Sequence, residues 1–304
     1  NPVSIPPSGL TLFVKPGSSL KSVARQLQKQ RVLDKPAYLV FLARYLRLDV
    51  RIKAGEFNLP PGITPEQLLH QLSDGKVVQH TITLIEGEVF KDMMQRVVAD
   101  TVLVHELEAS DAQTVMAAIG YPGLHPEGRF LPETYHFPRG TTDVDFLRRA
   151  YLDMESFLQQ NWLQRDKELP LETPYDALIL ASIVEKETGV AEERPRIAGV
   201  FTRRLQKGMR LQTDPTVIYG MGDAYKGDIR FRDLRRDTAY NTYTRHGLPP
   251  TPIAMPGKDA ILAVLHPLAG KALYFVARGD GSHKFSATLK EHNRAVDKYQ
   301  RKKR

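Results

Sequence analysis

The chain has 304 residues, 41% hydrophobic and 26% charged, an ordinary globular composition with ample core for two domains or one with a small appendage. It has no cysteine, which excludes disulfides and thiolate metal sites, and no apolar run reaches membrane-spanning length. The net charge of +8 suits an anionic partner such as a membrane surface or an acidic polymer. The basic residues are spread as Arg148–Arg149, Arg203–Arg204, Arg235–Arg236 and the run Arg301–Arg304. No zinc-finger or RNA-recognition signature accompanies them, so no nucleic-acid partner is expected.

Residues 1–9, with Pro2, Pro6 and Pro7, read as an extended linker. The chain opens at Asn1 rather than Met, without a signal peptide, which leaves room for an anchor or signal upstream. Leu10 to Val14 reads as a strand, turned by Lys15-Pro16-Gly17. Ser18 or Ser19 then caps a helix with Leu20, Val23, Ala24 and Leu27 on one face. A second helix from Pro36 carries Leu39, Leu42, Ala43 and Leu46, and Lys53 to Leu59 returns as a strand. Thr64-Pro65-Glu66-Gln67 opens a third helix with a capping box.

Val77 to Ile85 alternates as a strand that Glu86-Gly87 ends. Helices are expected over 89–99 and 112–119, and Glu127 to Pro138 (EGRFLPETYHFP) reads as a loop dense in aromatic and carboxylate groups. Amphipathic helices follow over Asp143 to Gln160 and Glu192 to Lys207. From Leu211 the chain reads as polar, aromatic, turn-rich loops. Ala272 to Ala277 reads as a buried strand, with His283 and Phe285 beyond it and a basic helix closing the chain.

Between the two amphipathic helices lies TPYDALILASIVEKETG, residues 173–189. Thr173 is its N-cap, Pro174 its first helical residue and Gly189 its expected left-handed stop. The apolar residues from Ala177 to Val184 cover nearly the whole circumference, which marks a buried helix. At roughly 100° per residue, Leu178, Ala181 and Ser182 lie within about 60° of Glu185, so Glu185 continues an inward face. Glu187 falls on nearly the opposite side, below Leu180 and Ile183. The negative end of the helix dipole and partial burial both disfavour a charged carboxylate at Glu185, the setting of a carboxylic general acid. The same charges also read as a solvated helix end.

No phosphate loop, dinucleotide fingerprint, G-x-S-x-G elbow or HExxH occurs, and the nine histidines are scattered, so no metal is expected. The second half offers carboxylates, carboxamides and rings instead: Glu133, Tyr135, Glu185, Gln212, Asp214, Tyr219, Asn241 and Tyr243. Amides and carboxylates bond sugar hydroxyl and acetamido groups, and aromatic faces cover a pyranose ring. Gln212 and Asn241, in loops flanking the helix, are the better binding candidates. Asp214, before Pro215, also reads as an N-cap, Glu133 as a partner for backbone amides, and Tyr219 and Tyr243 as core or rim.

The opening VKPGSSLKSVARQLQ is similar to the start of LysM modules, which bind N-acetylglucosamine-containing glycans. ASIVEKETG, LQTDPTVIYGMG, YNTYTRHGLPPTPIAMPG and LYFVARGDGSHKFSATLKEHN, in this order, resemble the MltG (YceG-like) family of endolytic murein transglycosylases. The resemblance implies an anchored bacterial protein at the periplasmic face of the inner membrane. It implies cutting of nascent peptidoglycan between N-acetylmuramic acid and N-acetylglucosamine, near penicillin-binding synthases, without a cofactor. It places the catalytic glutamate at Glu185, while the residues themselves offer Gln212, Asp214, Tyr219, Asn241, Tyr243 and Glu133 as substrate-binding candidates. The expected fold is α+β: a LysM-like βααβ subdomain over 10–80, then a mixed α+β catalytic domain over 81–304. A water-using muramidase, with Asp214 or Glu133 as second carboxylate, and a non-catalytic glycan-binding scaffold are the alternatives.

Overall fold

The computed structural model describes residues 3–47, 52–74 and 77–301. Asn1 and Pro2 of the expected linker and residues 302–304 of the basic run lie outside them. The fold is α+β, with small two-stranded sheets among helices, and forms two compact units. The first comprises Asn1–Ile82, Val98–Glu106 and Thr134–Phe146; the second comprises Thr83–Val97, Leu107–Glu133 and Leu147–Arg304. Two segments that the sequence reading put with the catalytic part thus belong to the first unit.

The first unit opens with β1 (Leu10–Val14), α1 (Leu20–Lys29), α2 (Pro36–Tyr45) and β2 (Gly55–Leu59), the expected βααβ order. β1 and β2 pair antiparallel with Leu12 opposite Phe57 and Leu10 opposite Leu59. The alternation buries Leu12, Val14, Phe57 and Leu59 against Val23, Ala24 and Leu27 of α1 and Leu39 and Ala43 of α2. Ser19 caps α1 by accepting from the Ser22 N–H. Tyr38, Phe41 and Tyr45 of α2 are exposed. Thr64 and Gln67 form the capping box of α3 (Pro65–Asp74).

β3 (Gln79–Thr83) pairs with β4 (Thr134–Pro138), a strand inside what reads in sequence as loop. Tyr135 and Phe137 of β4 point inward and pack edge-on against Phe146. The alternation was present in TYHFP, but it is short and framed by Pro132 and Pro138. Tyr135 is therefore a core residue rather than part of a sugar platform.

The second unit contains α4 (Phe90–Ala99, whose last residues fall in the first unit), α5 (Ala112–Ala118) and most of α6 (Asp143–Trp162). There follow α7 (Pro174–Glu187), α8 (Arg194–Gln206), α9 (Asp214–Met221), α10 (Phe231–Arg235), α11 (Lys258–Leu265), β5 (Tyr274–Ala277), β6 (His283–Ser286) and α12 (Leu289–Tyr299). Among the described residues no helix is long and apolar enough to cross a membrane.

α7 is the centre of this unit. Every residue from Ala177 to Val184 is buried, and the helix packs between α8 and α11 against Ile197, Val200, Phe201, Ile261 and Val264. Thr173 accepts from the Asp176 N–H, and Asp176 accepts in return from the Thr173 N–H, a complete capping box. The far end departs from expectation. The helix stops at Glu187 because Thr188 is extended (φ −149°), and Gly189 is not left-handed. The buried Thr188 holds this exit, its hydroxyl accepting from the Val190 N–H at 3.0 Å.

The region after Leu211 is more helical than its turn residues suggest. α11 follows Pro256-Gly257 and buries Ala260, Ile261, Ala263, Val264 and Leu265. The closing strand is shorter than Ala272 to Ala277, and only Val276 of β5 is fully buried, because β5 pairs with β6 alone.

Candidate active site at the end of the buried helix

Glu185 sits one turn beyond Ala181 and Ser182 on the inward face of α7, and its side chain is 7% exposed. The Ser182 hydroxyl donates to Ile179 O at 2.7 Å and accepts from the Ile253 N–H at 2.9 Å, which ties the 252–257 segment to the helix. That segment delivers the Gly257 N–H to Glu185 Oε2 at 3.0 Å. Arg194, at the start of α8, brings Nη2 to 3.5 Å from Glu185 Oε1 and Nη1 to 3.8 Å from Asp259. A backbone donor and a guanidinium therefore meet this carboxylate, which the helix end alone did not foretell.

A strap from Glu86 to Glu88 closes the site from the side. The Gly87 N–H donates to Met255 O and the Met255 N–H to Glu88 O, each at 2.8 Å, while Lys186 Nζ donates to Gly87 O at 3.0 Å. Lys186 is turned outward as the wheel requires. The strap and the last residues of α7 line a cleft of about 310 Å³ that includes Glu86, Glu185, Glu187 and Thr188. Glu86 is exposed, but partial desolvation, and then the Glu185 charge, push its carboxyl above the usual range.

Glu187, on the opposite side of α7, faces a second cleft of about 470 Å³ lined with Gln212, Asp214, Tyr243, Tyr274 and His283. Burial pushes its carboxyl up to about 7 although the Thr213 hydroxyl donates to it. Gln212 is left-handed (φ 50°), its N–H donates to Thr242 O at 3.1 Å, and its side-chain oxygen accepts from Arg204 at 3.4 Å. Asp214 is not the N-cap of α9; Thr213 holds that position, and Asp214 accepts from the Tyr243 hydroxyl at 2.6 Å. The half-buried Tyr243 phenol is pushed up by desolvation and then by this bond. His283 is held by Glu193 through both its backbone N–H and its ring.

The remaining predicted residues lie elsewhere. Glu133 pairs with Lys258 at 2.8 Å and its charge reaches Glu86, so it belongs to the Glu185 side. Asn241 is 1% exposed; its amide donates to the carbonyls of Leu234 and Arg236, and its oxygen accepts from the Tyr243 N–H. It braces a loop. The Tyr219 hydroxyl donates to Glu127 at 3.0 Å, and Glu127 also accepts from the Phe90 N–H. Glu86 and Gly257 escaped sequence reasoning, since a Glu-Gly or Pro-Gly pair reads simply as a turn, and so did Arg194 inside an Arg-rich helix; Glu187 was placed opposite Glu185 but given no role.

Glu127 is 4% exposed and burial pushes its carboxyl up to about 7. A raised carboxyl stabilises the fold fully below its unfolded value, and the benefit is lost as pH rises through about 7. The loss amounts to about 3 kcal/mol at most. Glu127→Gln cannot ionise, so its urea midpoint is expected to gain on the wild type between about pH 5 and pH 8. Glu187 leaves a slope of the same sign in both proteins. A constant difference between the two midpoints would rule the Glu127 contribution out.

The YceG-like family model matches residues 12–298. A Bacillus subtilis (strain 168) protein named endolytic murein transglycosylase is 31% identical over 95% of this chain and 84% of its own length. A Streptococcus pneumoniae (strain D39) protein of the same name is 27% identical over 94% of this chain and 58% of its own. A crystal structure of a yceG-like protein from Listeria monocytogenes superposes with a TM-score of 0.58 at 30% identity, covering 94% of this chain and 98% of that one. With a match that takes in nearly all of its length, the chain belongs to the YceG-like family.

Proposed function

We propose that this chain is an endolytic murein transglycosylase that cuts nascent peptidoglycan strands between N-acetylmuramic acid and N-acetylglucosamine. The observation that carries the reading is Glu185, a mostly buried carboxyl opening onto a cleft at the end of α7 and held by Gly257 and Arg194. Its relatives' name supports the same activity. Glu185 gives a proton to the glycosidic oxygen as the bond to muramic C1 breaks through an oxocarbenium-like state. It then takes the proton of the muramic C6 hydroxyl as that oxygen closes on C1, leaving a 1,6-anhydro ring. No water is consumed and no cofactor is required.

Gln212, Asp214 and Tyr243 bind sugar in this reading, from the cleft on the Glu187 side of the same helix end. Residues 10–80 form a LysM-like unit that holds glycan, with exposed Tyr38, Phe41 and Tyr45 as ring surfaces, and 81–304 carry catalysis. The setting is the periplasmic face of the inner membrane, beside penicillin-binding synthases. A hydrolase using Asp214 or Glu133 has less support, because these carboxylates are engaged by Tyr243 and Lys258.

Mass spectrometry of uncrosslinked glycan strands incubated with the protein tests the proposal. The expected products are internal fragments ending in 1,6-anhydromuramic acid. Ends heavier by one water would make the protein a hydrolase, and binding without cutting would make it a scaffold.

A further inference from the structure

Glu86 stands three residues beyond the end of β3, on the strap whose backbone is bonded to Met255. Its carboxylate lies across Gly257, where a Cβ would collide with Glu86 Oε1 and Cδ. The N–H of that same glycine donates to Glu185 Oε2 at 3.0 Å. The two carboxylates therefore converge on one residue that has no side chain to part them. Among the described residues Glu86 has no hydrogen-bond or ion-pair partner, whereas Glu88 beside it is paired with Arg96 and Glu133 with Lys258. One further group is poised toward the site: Arg194, 11% exposed, has a buried Nε without a partner.

We propose that Glu86 and Glu185 work as one carboxyl pair carrying a single proton, with Glu86 as the positioning residue that keeps that proton on the pair at working pH. The inference rests on the transglycosylase reading of this cleft. Like charges held close cannot both ionise easily, so such a pair titrates in two separated steps. The Glu86 carboxyl is raised by partial desolvation and by Glu185; Asp259 and Glu133 add to this, while Arg194 opposes it. Glu88 with its partner Arg96, Lys186, Glu187 and Lys258 are the remaining charged groups around the strap and the helix end.

In the first half of the reaction the proton passes from Glu185 to the glycosidic oxygen as the bond to C1 breaks. Both carboxylates are then ionised, and Glu185 stabilises the positive sugar. In the second half the C6 hydroxyl proton returns to the pair as that oxygen bonds C1. One proton leaves and one returns.

Two variants test the pair. Glu86→Gln removes the negative neighbour from the pair, so the alkaline limb of the kcat/KM profile should move down by about one pH unit. The rate should fall about tenfold near pH 7.5 and recover near pH 5, with KM little changed. Gly257→Ala, whose φ of −73° suits alanine, pushes the unaltered Glu86 aside and should reproduce the shift. Glu86→Asp should restore part of it. Either variant cutting with the wild-type profile, or losing rate equally at every pH, overturns the pair. A wild type that does not cut, or a Glu185→Gln that does, would instead overturn the transglycosylase reading itself.

Discussion

Replacing Glu185 with glutamine is expected to abolish strand cutting, a fall on the order of a thousandfold or more, while the protein still folds. The side chain is 7% exposed, so a change of volume would leave a void, and glutamine avoids one. Its amide oxygen still accepts from the Gly257 N–H. What disappears is the group that can give and take a proton. Arg194 loses its partner at 3.5 Å but keeps Asp259 at 3.8 Å, so the stability cost should be about 1–3 kcal/mol, below that of a fully orphaned buried ion. Circular dichroism and product analysis separate the two effects. A folded Glu185→Gln protein that cuts like the wild type would remove Glu185 from the chemistry.

The capped, all-apolar helix was legible because its signals are local. Thr173, Pro174 and the run from Ala177 to Val184 each act within one or two turns, and α7 begins and is buried where they say. The βααβ front was legible for the same reason, since alternation in β1 and β2 and the Ser19 cap are short-range. The end of α7 was not, because Thr188 rather than Gly189 makes the exit through a buried hydroxyl. Glu185 could be placed on the inward face by the wheel, but its partners could not. Gly257 lies 72 positions away, and Arg194 arrives only when the chain doubles back into α8. Periodicity marks which face is buried and says nothing of which distant backbone meets it. Asn241 shows the converse: its amide looked free to bind sugar until the loop folded and its own carbonyls took it.

Arg204→Met is expected to be among the most destabilising single substitutions in the second unit, at about 3–5 kcal/mol. Arg204 is 7% exposed, on the inner side of α8. Its Nε donates to Leu273 O at 2.7 Å, and Nη1 donates to Leu211 O at 2.8 Å and to Arg210 O at 3.2 Å. Its guanidinium carbon lies 5.0 Å from the centre of the Tyr274 ring. Methionine fills much of the volume but leaves three carbonyls without their donor, each worth about 1–3 kcal/mol when buried and unmet. Lysine cannot span both Leu273 and Leu211, because a single ammonium lacks the fork of donors. Arg204→Lys should therefore recover only part of the loss. The effect should reach function as well, since the 210–212 turn carries left-handed Gln212 into the Glu187 cleft. Strand cutting by Arg204→Lys, measured where the variant is still folded, should fall through a weaker KM with kcat less affected. Urea unfolding within about 1 kcal/mol of the wild type for Arg204→Met would mean that water replaces the guanidinium and that this turn does not depend on it.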